Sequence, residues 1–252
     1  MGRRKIGIDD SAAWVFNRMA DVYDARPPYP LTLIERLFRL AGGPGSRVVD
    51  LGAGIGHLSL PLAERGCTVF AVEPAQTMLE RLRSRAPTSE FAVQCLHAAA
   101  EAVPLPPCSV QLALIADAMH FLDAALTGHE VRRLLQPGGA LAIVTCEPGN
   151  TPFMRDVVRL MELAAPRRPR ATRDMITQLA GVAGITLHES VQLEDHTPVN
   201  HAQLERILRS ISFIGPAMHA QRFSQFWRHV RALSDEPVWS RRCTLRSGRS
   251  AS

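Results

Sequence analysis

Val48-Val49-Asp50-Leu51-Gly52-Ala53-Gly54-Ile55-Gly56 is an apolar run entering a glycine-rich turn that opens a predicted helix. β-Branched residues suit a buried strand, and glycines let bare backbone approach a ligand closely. The free N–H groups at the helix start add donors for polar atoms. A related turn serves phosphate-binding dinucleotide enzymes, whose fingerprint reads G-x-G-x-x-G. Here the third glycine of that fingerprint would fall on His57; the chain instead reads G-x-G-x-G, with Asp50 two residues ahead. Glu73 ends the next predicted strand, where a carboxylate can accept both hydroxyls of a ribose. This spacing favours a nucleoside with free ribose hydroxyls.

Outward from the turn, short β-branched runs alternate with helical stretches from about residue 45 to residue 146. Predicted strands cover Arg47 to Leu51, Cys67 to Val72, Phe91 to Leu96, Val110 to Ile115 and Ala140 to Cys146. Predicted helices run from the turn to about Arg65, from Ala75 to about Arg85 and from Ala124 to Leu135, the last halted by Pro137-Gly138-Gly139. A helix over Met175 to Ala183 and a sixth strand over Ile185 to Leu193 follow. Amphipathic stretches over His201 to Ser212 and Ala217 to Leu233 precede a final strand near Trp239 to Leu245. Such alternation implies right-handed crossovers and an α/β fold, doubly wound, with a mostly parallel seven-stranded sheet. Residues 1–44 read as a helical arm, and residues 45–252 as the main domain with lid insertions at about 147–174 and 196–236. Only Ser247 to Ser252 resembles a disordered tail.

With 46% hydrophobic and 21% charged residues, and no apolar run near membrane-spanning length, the chain should be soluble. The basic N-terminus lacks the apolar core of a signal peptide, which points to the cytoplasm. The five cysteines lie far apart with no Cys-x-x-Cys pair, so neither structural zinc nor a disulfide framework is expected, and no metal is assigned. The net charge of +5 concentrates at Arg167, Arg168, Arg170 and Arg173 and at Arg241, Arg242, Arg246 and Arg249. Such clusters can steer an anionic substrate or RNA, or simply dress a solvated surface. With three Trp and two Tyr, a stacking platform for single-stranded nucleic acid is not evident.

At this point the chain resembles the class I S-adenosylmethionine-dependent methyltransferases, of the small-molecule type with a Rossmann-like sheet. Ala100-Glu101-Ala102-Val103-Pro104-Leu105 is similar to the family's A-E-x-L-P segment, and Leu134-Leu135-Gln136-Pro137-Gly138-Gly139 to its L-x-P-G-G turn. Tyr23-Asp24-Ala25-Arg26-Pro27-Pro28-Tyr29-Pro30 is similar to the family's Y-x-x-x-R-P-x-Y-P entry segment. The resemblance implies S-adenosyl-L-methionine as cofactor, with S-adenosyl-L-homocysteine as product. It places Gly52, Ala53, Gly54 and Gly56 at the methionine moiety and sulfonium and Glu73 at the ribose, and counts Asp50 among the cofactor-binding residues. Pro74 and the backbone of Ala100 and Glu101 would flank the adenine, with Met78 and Ala116 completing the cofactor side. Tyr23 and Arg26 would close over the cofactor carboxylate, or pack as an arm on the domain. Ala99 stands where many members carry the Asp that binds the adenine amino group.

Methyl transfer from a sulfonium is an in-line displacement, so positioning alone can supply much of the rate. His120, after the fourth strand, is the candidate base or substrate contact, with an unperturbed pKa suited to proton removal. The expected reaction is methylation of an O, N or C centre on a small, potentially acidic metabolite or biosynthetic intermediate. A non-catalytic cofactor-binding regulator and an RNA or protein methyltransferase are the alternatives. Ala116-Asp117-Ala118-Met119 after the fourth strand lacks the N-P-P-Y pattern of amide-nitrogen and adenine methylases. Monomer and homodimer are both open.

Overall fold

The computed structural model describes residues 15–86, 93–166 and 171–251. After helices α1 (Val15–Tyr23) and α2 (Leu31–Ala41) come β1 (Arg47–Leu51), α3 (Ser59–Ala63), β2 (Thr68–Val72), α4 (Gln76–Arg85), β3 (Val93–Leu96) and β4 (Val110–Ala116). A 3-10 turn (Met119–Phe121) leads to α5 (Ala124–Leu134), β5 (Leu135–Pro148), α6 (Pro152–Ala164), α7 (Thr172–Ala183) and β6 (Glu189–Pro198). The chain continues through α8 (His201–Arg209) and α9 (Ala220–Arg231) to β7 (Val238–Arg249). The seven strands form one sheet in the order β3-β2-β1-β4-β5-β7-β6. The first five run parallel, and β7 lies antiparallel between β5 and β6.

Successive side chains of a strand point to opposite faces, so burying both faces requires continuous apolar runs. Val49 and Leu51 join Ile115 and Ile143 under Val131, Leu134 and Leu179 of α5 and α7. Val48 joins Val69, Leu112 and Leu114 under Leu33, Leu37, Leu60 and Leu82 of α2, α3 and α4. Each such side chain, fully withdrawn from water, contributes roughly 1.5–3 kcal/mol. The segments outside this core form clusters of their own: Val157, Leu204, Leu208, Phe223 and Phe226 pack α6, α8 and α9 together, and α1 sets Met19 and Ala20 against Met78.

Several boundaries differ from the sequence expectation. The helix after the glycine turn is only Ser59–Ala63, because residues 52–58 are largely turn. Pro137-Gly138-Gly139 does not separate helix from strand: β5 begins at Leu135, and its pairing with β4 is irregular between Val110 and Leu112. β6 starts at Glu189 and extends to Pro198, inside the stretch expected as a lid. The expected tail is strand as far as Arg249, with Ser247 paired to Ala142 and Arg249 to Ala140. Polar Ser-Gly-Arg residues announce no strand by themselves; the open edge of β5 supplies their partners. Phe91 and the arginines 167, 168 and 170 lie outside the described residues.

The cysteine reading is corrected as well. Cys146 and Cys243 are direct cross-strand neighbours of β5 and β7 and form a disulfide, with Cα atoms 4.2 Å apart and a separation of 97 positions in sequence. Linear spacing cannot show a pair that exists only because β7 inserts beside β5. Cys67, Cys95 and Cys108 are free. Thiol titration of the denatured, unreduced protein should count three reactive groups, and five after reduction. Closing so long a loop stabilises by about 4–5 kcal/mol in the chain-entropy account, so Cys146→Ser should lower Tm measurably.

The C-terminal arginines are mostly engaged within the fold. Arg241 pairs with Asp195, Arg242 with Glu194, Arg246 donates to Thr145, and Arg249 donates to the carbonyls of Gly138 and Leu40. Their clustering in sequence therefore reflects a strand whose side chains reach across to both neighbours. Among the described residues, no helix is long and apolar enough to cross a membrane.

Candidate functional site

The strand order reverses between β1 and β4, and in open α/β sheets the ligand crevice opens beyond the carboxyl ends at such a point. The glycine turn follows β1 there. Its backbone is pinned to the neighbouring strand: Gly52 and Ala53 N–H donate to Val72 O at 2.9 and 3.0 Å, and Gly54 N–H donates to Glu73 Oε2 at 2.8 Å. Gly52 has φ +80°, and a Cβ on it would lie 2.8 Å from Ala118 Cβ, so glycine is required on steric grounds as well.

Glu73 is 6% exposed. Its Oε1 accepts from Ala75 N–H at 2.8 Å while Oε2 holds Gly54. Burial pushes the carboxyl up to about 7, against the opposing pull of those two donors. Each oxygen retains lone-pair capacity, enough to receive one hydroxyl apiece. Asp50, also buried, accepts from Ser59 Oγ at 2.6 Å and is raised by burial to about 6. It thereby braces α3 beneath the turn.

A cavity of about 30 Å³ lies at the turn, lined by Tyr23, Tyr29, Asp50, Gly52, Ala53, Gly54, His57, Leu58 and Ala116. Its roof is the N-terminal arm: the Tyr23 ring stacks on His57 at 5.8 Å, and a Cβ on Gly54 would lie 3.7 Å from that ring. A larger cavity of about 230 Å³, among Cys108, Arg132, Pro137 and Ala251, sits at the amino ends of β4 and β5, and no carboxylate lines it. The crevice at the carboxyl ends is the one with convergent polar groups.

Arg26 lies 4.2 Å over the Tyr23 ring and donates to Tyr23 Oη at 3.0 Å. It also donates to Ser210 Oγ at 2.9 Å and Ser210 O at 2.6 Å, tying the arm to the end of α8. His57 is held down to about 4 by burial and by Arg26, and is a neutral ring at physiological pH. Pro74 O contacts His97 Nε2 at 3.2 Å, and Met78 is buried under α1. Ala100 is buried, while the Glu101 carboxylate accepts from Asp123 N–H at 2.8 Å. His120 sits half-buried in the 3-10 turn with its ring 3.8 Å from that of Phe121.

Tyr29, which lines the crevice, is bonded to Asp117, the residue after the lining Ala116. Tyr29 Oη donates to Asp117 Oδ2 at 3.0 Å, and Asp117 Oδ1 accepts from Cys146 N–H at 2.7 Å. Asp117 adopts φ +51°, a conformation Asp tolerates better than most residues. The only sequence signal was an acid at the end of an apolar strand.

Residues 49–143 match the methyltransferase domain family, spanning β1 through most of β5. This region is a class I methyltransferase domain. An uncharacterized methyltransferase of Mycobacterium tuberculosis is 43% identical over 119 residues, 47% of this chain and 46% of that protein. The match thus spans about half the length of such curated relatives. The malonyl-[acyl-carrier protein] O-methyltransferase of Serratia marcescens is 28% identical over 209 residues, 81% of this chain and 78% of the relative. Geranyl diphosphate C-methyltransferase of Streptomyces coelicolor A3(2) shares the fold at a TM-score of 0.54 and 15% identity, covering 88% of this chain and 76% of the other. The likeness in fold therefore covers more of the chain than the segment matched by the family.

Proposed function

We propose that this protein is a methyltransferase that takes its methyl group from S-adenosyl-L-methionine and places it on an O, N or C atom of a small-molecule acceptor. The observation carrying this reading is Glu73: a buried carboxylate at the end of β2, oriented by two backbone donors, with one lone-pair position left on each oxygen. Gly52, Ala53, Gly54 and Gly56 would lie along the methionine moiety, Pro74, Met78, Ala100 and Glu101 around the base, and Ala116 beside the reacting centre. Tyr23 and Arg26 would form the movable roof, and His120 the outer wall on the acceptor side. When bound, the cofactor supplies an electrophilic methyl group; the residues supply orientation and exclusion of water. The geranyl diphosphate enzyme supports a small acceptor, a 23S rRNA methyltransferase of Halomonas elongata, 35% identical over 149 residues, supports RNA, and the internal pairing of the C-terminal arginines, which leaves less free positive surface, favours the former.

Calorimetry with S-adenosyl-L-homocysteine should show micromolar binding. Ribose hydroxyls donate best to an ionised carboxylate, so affinity should tighten as pH rises from 6 to 8 through the raised Glu73 titration near 7. Absence of binding to the wild-type chain would sink the reading. Radiolabelled methyl transfer into small-molecule, RNA and protein fractions then sorts the acceptor class, and label confined to macromolecules would overturn the small-molecule assignment.

A further inference from the structure

The loops after β1 and β4 border the same crevice, so the residue that follows β4 stands across from the glycine turn. We infer that Asp117, supported by Tyr29, is the acceptor-binding carboxylate of this site, and that the acceptor presents an O–H or N–H to it rather than a carboxylate. The inference rests on the methyltransferase reading above and narrows its substrate class.

The geometry is specific. A left-handed backbone is unfavourable at a non-glycine residue, and here it is held by Asp117 N–H donating to Val144 O at 2.9 Å. Cys146 N–H and the Tyr29 phenol each take one carboxylate oxygen, fixing its plane and leaving lone pairs for a further donor. Tyr29 and the adjacent Ala116 line the crevice together with Gly52 and Gly54. The two guanidiniums that act on Asp117 are committed elsewhere, Arg26 to Ser210 and Tyr23, and Arg241 to Asp195 and Pro28. Burial, the largest influence, raises the proton affinity of this carboxyl.

In the transfer step, a lone pair of the acceptor forms the bond to the methyl carbon as the carbon–sulfur bond breaks and leaves its electron pair on sulfur. The acceptor's proton passes to an Asp117 oxygen. An ionised carboxylate acceptor has no proton to give, and its charge would be repelled by that of Asp117.

Asp117→Asn is the test, because it preserves shape: the amide oxygen can face Cys146 N–H, and the amide NH₂ can donate to Tyr29 Oη, which accepts in place of donating. S-Adenosyl-L-homocysteine affinity should stay within threefold of wild type. Transfer of labelled methyl into the small-molecule fraction should fall at least 100-fold, within the usual span for loss of a general base. The wild-type product should retain its label in mild alkali, which would release methanol from a methyl ester. Tyr29→Phe should retain binding and lower transfer less than Asp117→Asn. Transfer by Asp117→Asn within threefold of wild type, or an alkali-labile product, overturns the assignment. So does a wild-type chain that binds the homocysteine product yet labels no fraction. No binding by wild type instead removes the methyltransferase reading itself.

Discussion

Glu73→Ala should abolish measurable S-adenosyl-L-homocysteine binding while leaving a folded protein. Two hydrogen bonds from ribose hydroxyls to a charged acceptor are worth about 1.5–3 kcal/mol each, so the loss amounts to at least about 100-fold in Kd. The same substitution orphans Gly54 and Ala75 N–H, which should loosen the glycine turn. Stability responds in the other direction at high pH, because the substitution also deletes a buried charge. The folded Glu73 pKa, about 7, lies above its ordinary 4.5, so the folded form holds its proton longer than the unfolded chain. Stability from this group is full below 4.5, declines as pH rises, and is lost above 7, a swing on the order of 3 kcal/mol. Asp50, raised from 3.8 to about 6, adds a decline in the same sense. The wild-type apo protein should therefore melt lower at pH 8 than at pH 5, and Glu73→Ala should flatten that slope. Calorimetric titration and thermal melts at both pH values check the two halves independently; wild-type affinity in the variant would remove Glu73 from the site.

Gly56→Val should be the most destabilising single change in the turn. Gly56 has φ +87°, and a Cβ there would sit 2.2 Å from Leu82 Cδ1 and 3.1 Å from Leu60 Cγ. A β-branched residue in a left-handed conformation adds strain to overpacking, together about 3–5 kcal/mol. Against a total stability of about 5–15 kcal/mol, this should lower Tm by roughly 10 °C or more, or prevent soluble expression. Gly181→Ala is the contrast. Nothing lies within 4 Å of a Cβ there and the residue is inside α7, so alanine should stabilise by about 0.5–1 kcal/mol. Equal melting temperatures for the two variants would mean that the packing beneath the turn is looser than described.

The cofactor side was legible because its requirements are local. Glycines at Gly52, Gly54 and Gly56 are demanded by backbone geometry and close approach, and Glu73 stands at a fixed distance along one β-α-β unit. Apolar runs such as Val48–Val49 and Leu112–Ile115 likewise declare a sheet covered on both faces. Tyr23 and Arg26 were legible as a pair but not in their attachments, since Ser210 lies 184 residues from Arg26 in sequence.

The sequence by itself determined the parallel α/β core and the glycine turn with the acid that follows β2, because strand burial, turn sterics and short crossovers are encoded by neighbouring residues. Only the tertiary structure decided that Tyr29 meets Asp117, that Cys146 meets Cys243, and that the polar C-terminal stretch is a strand. Those depend on β7 inserting antiparallel beside β5 and on the arm folding back over the switch point, contacts between distant segments that no local periodicity records.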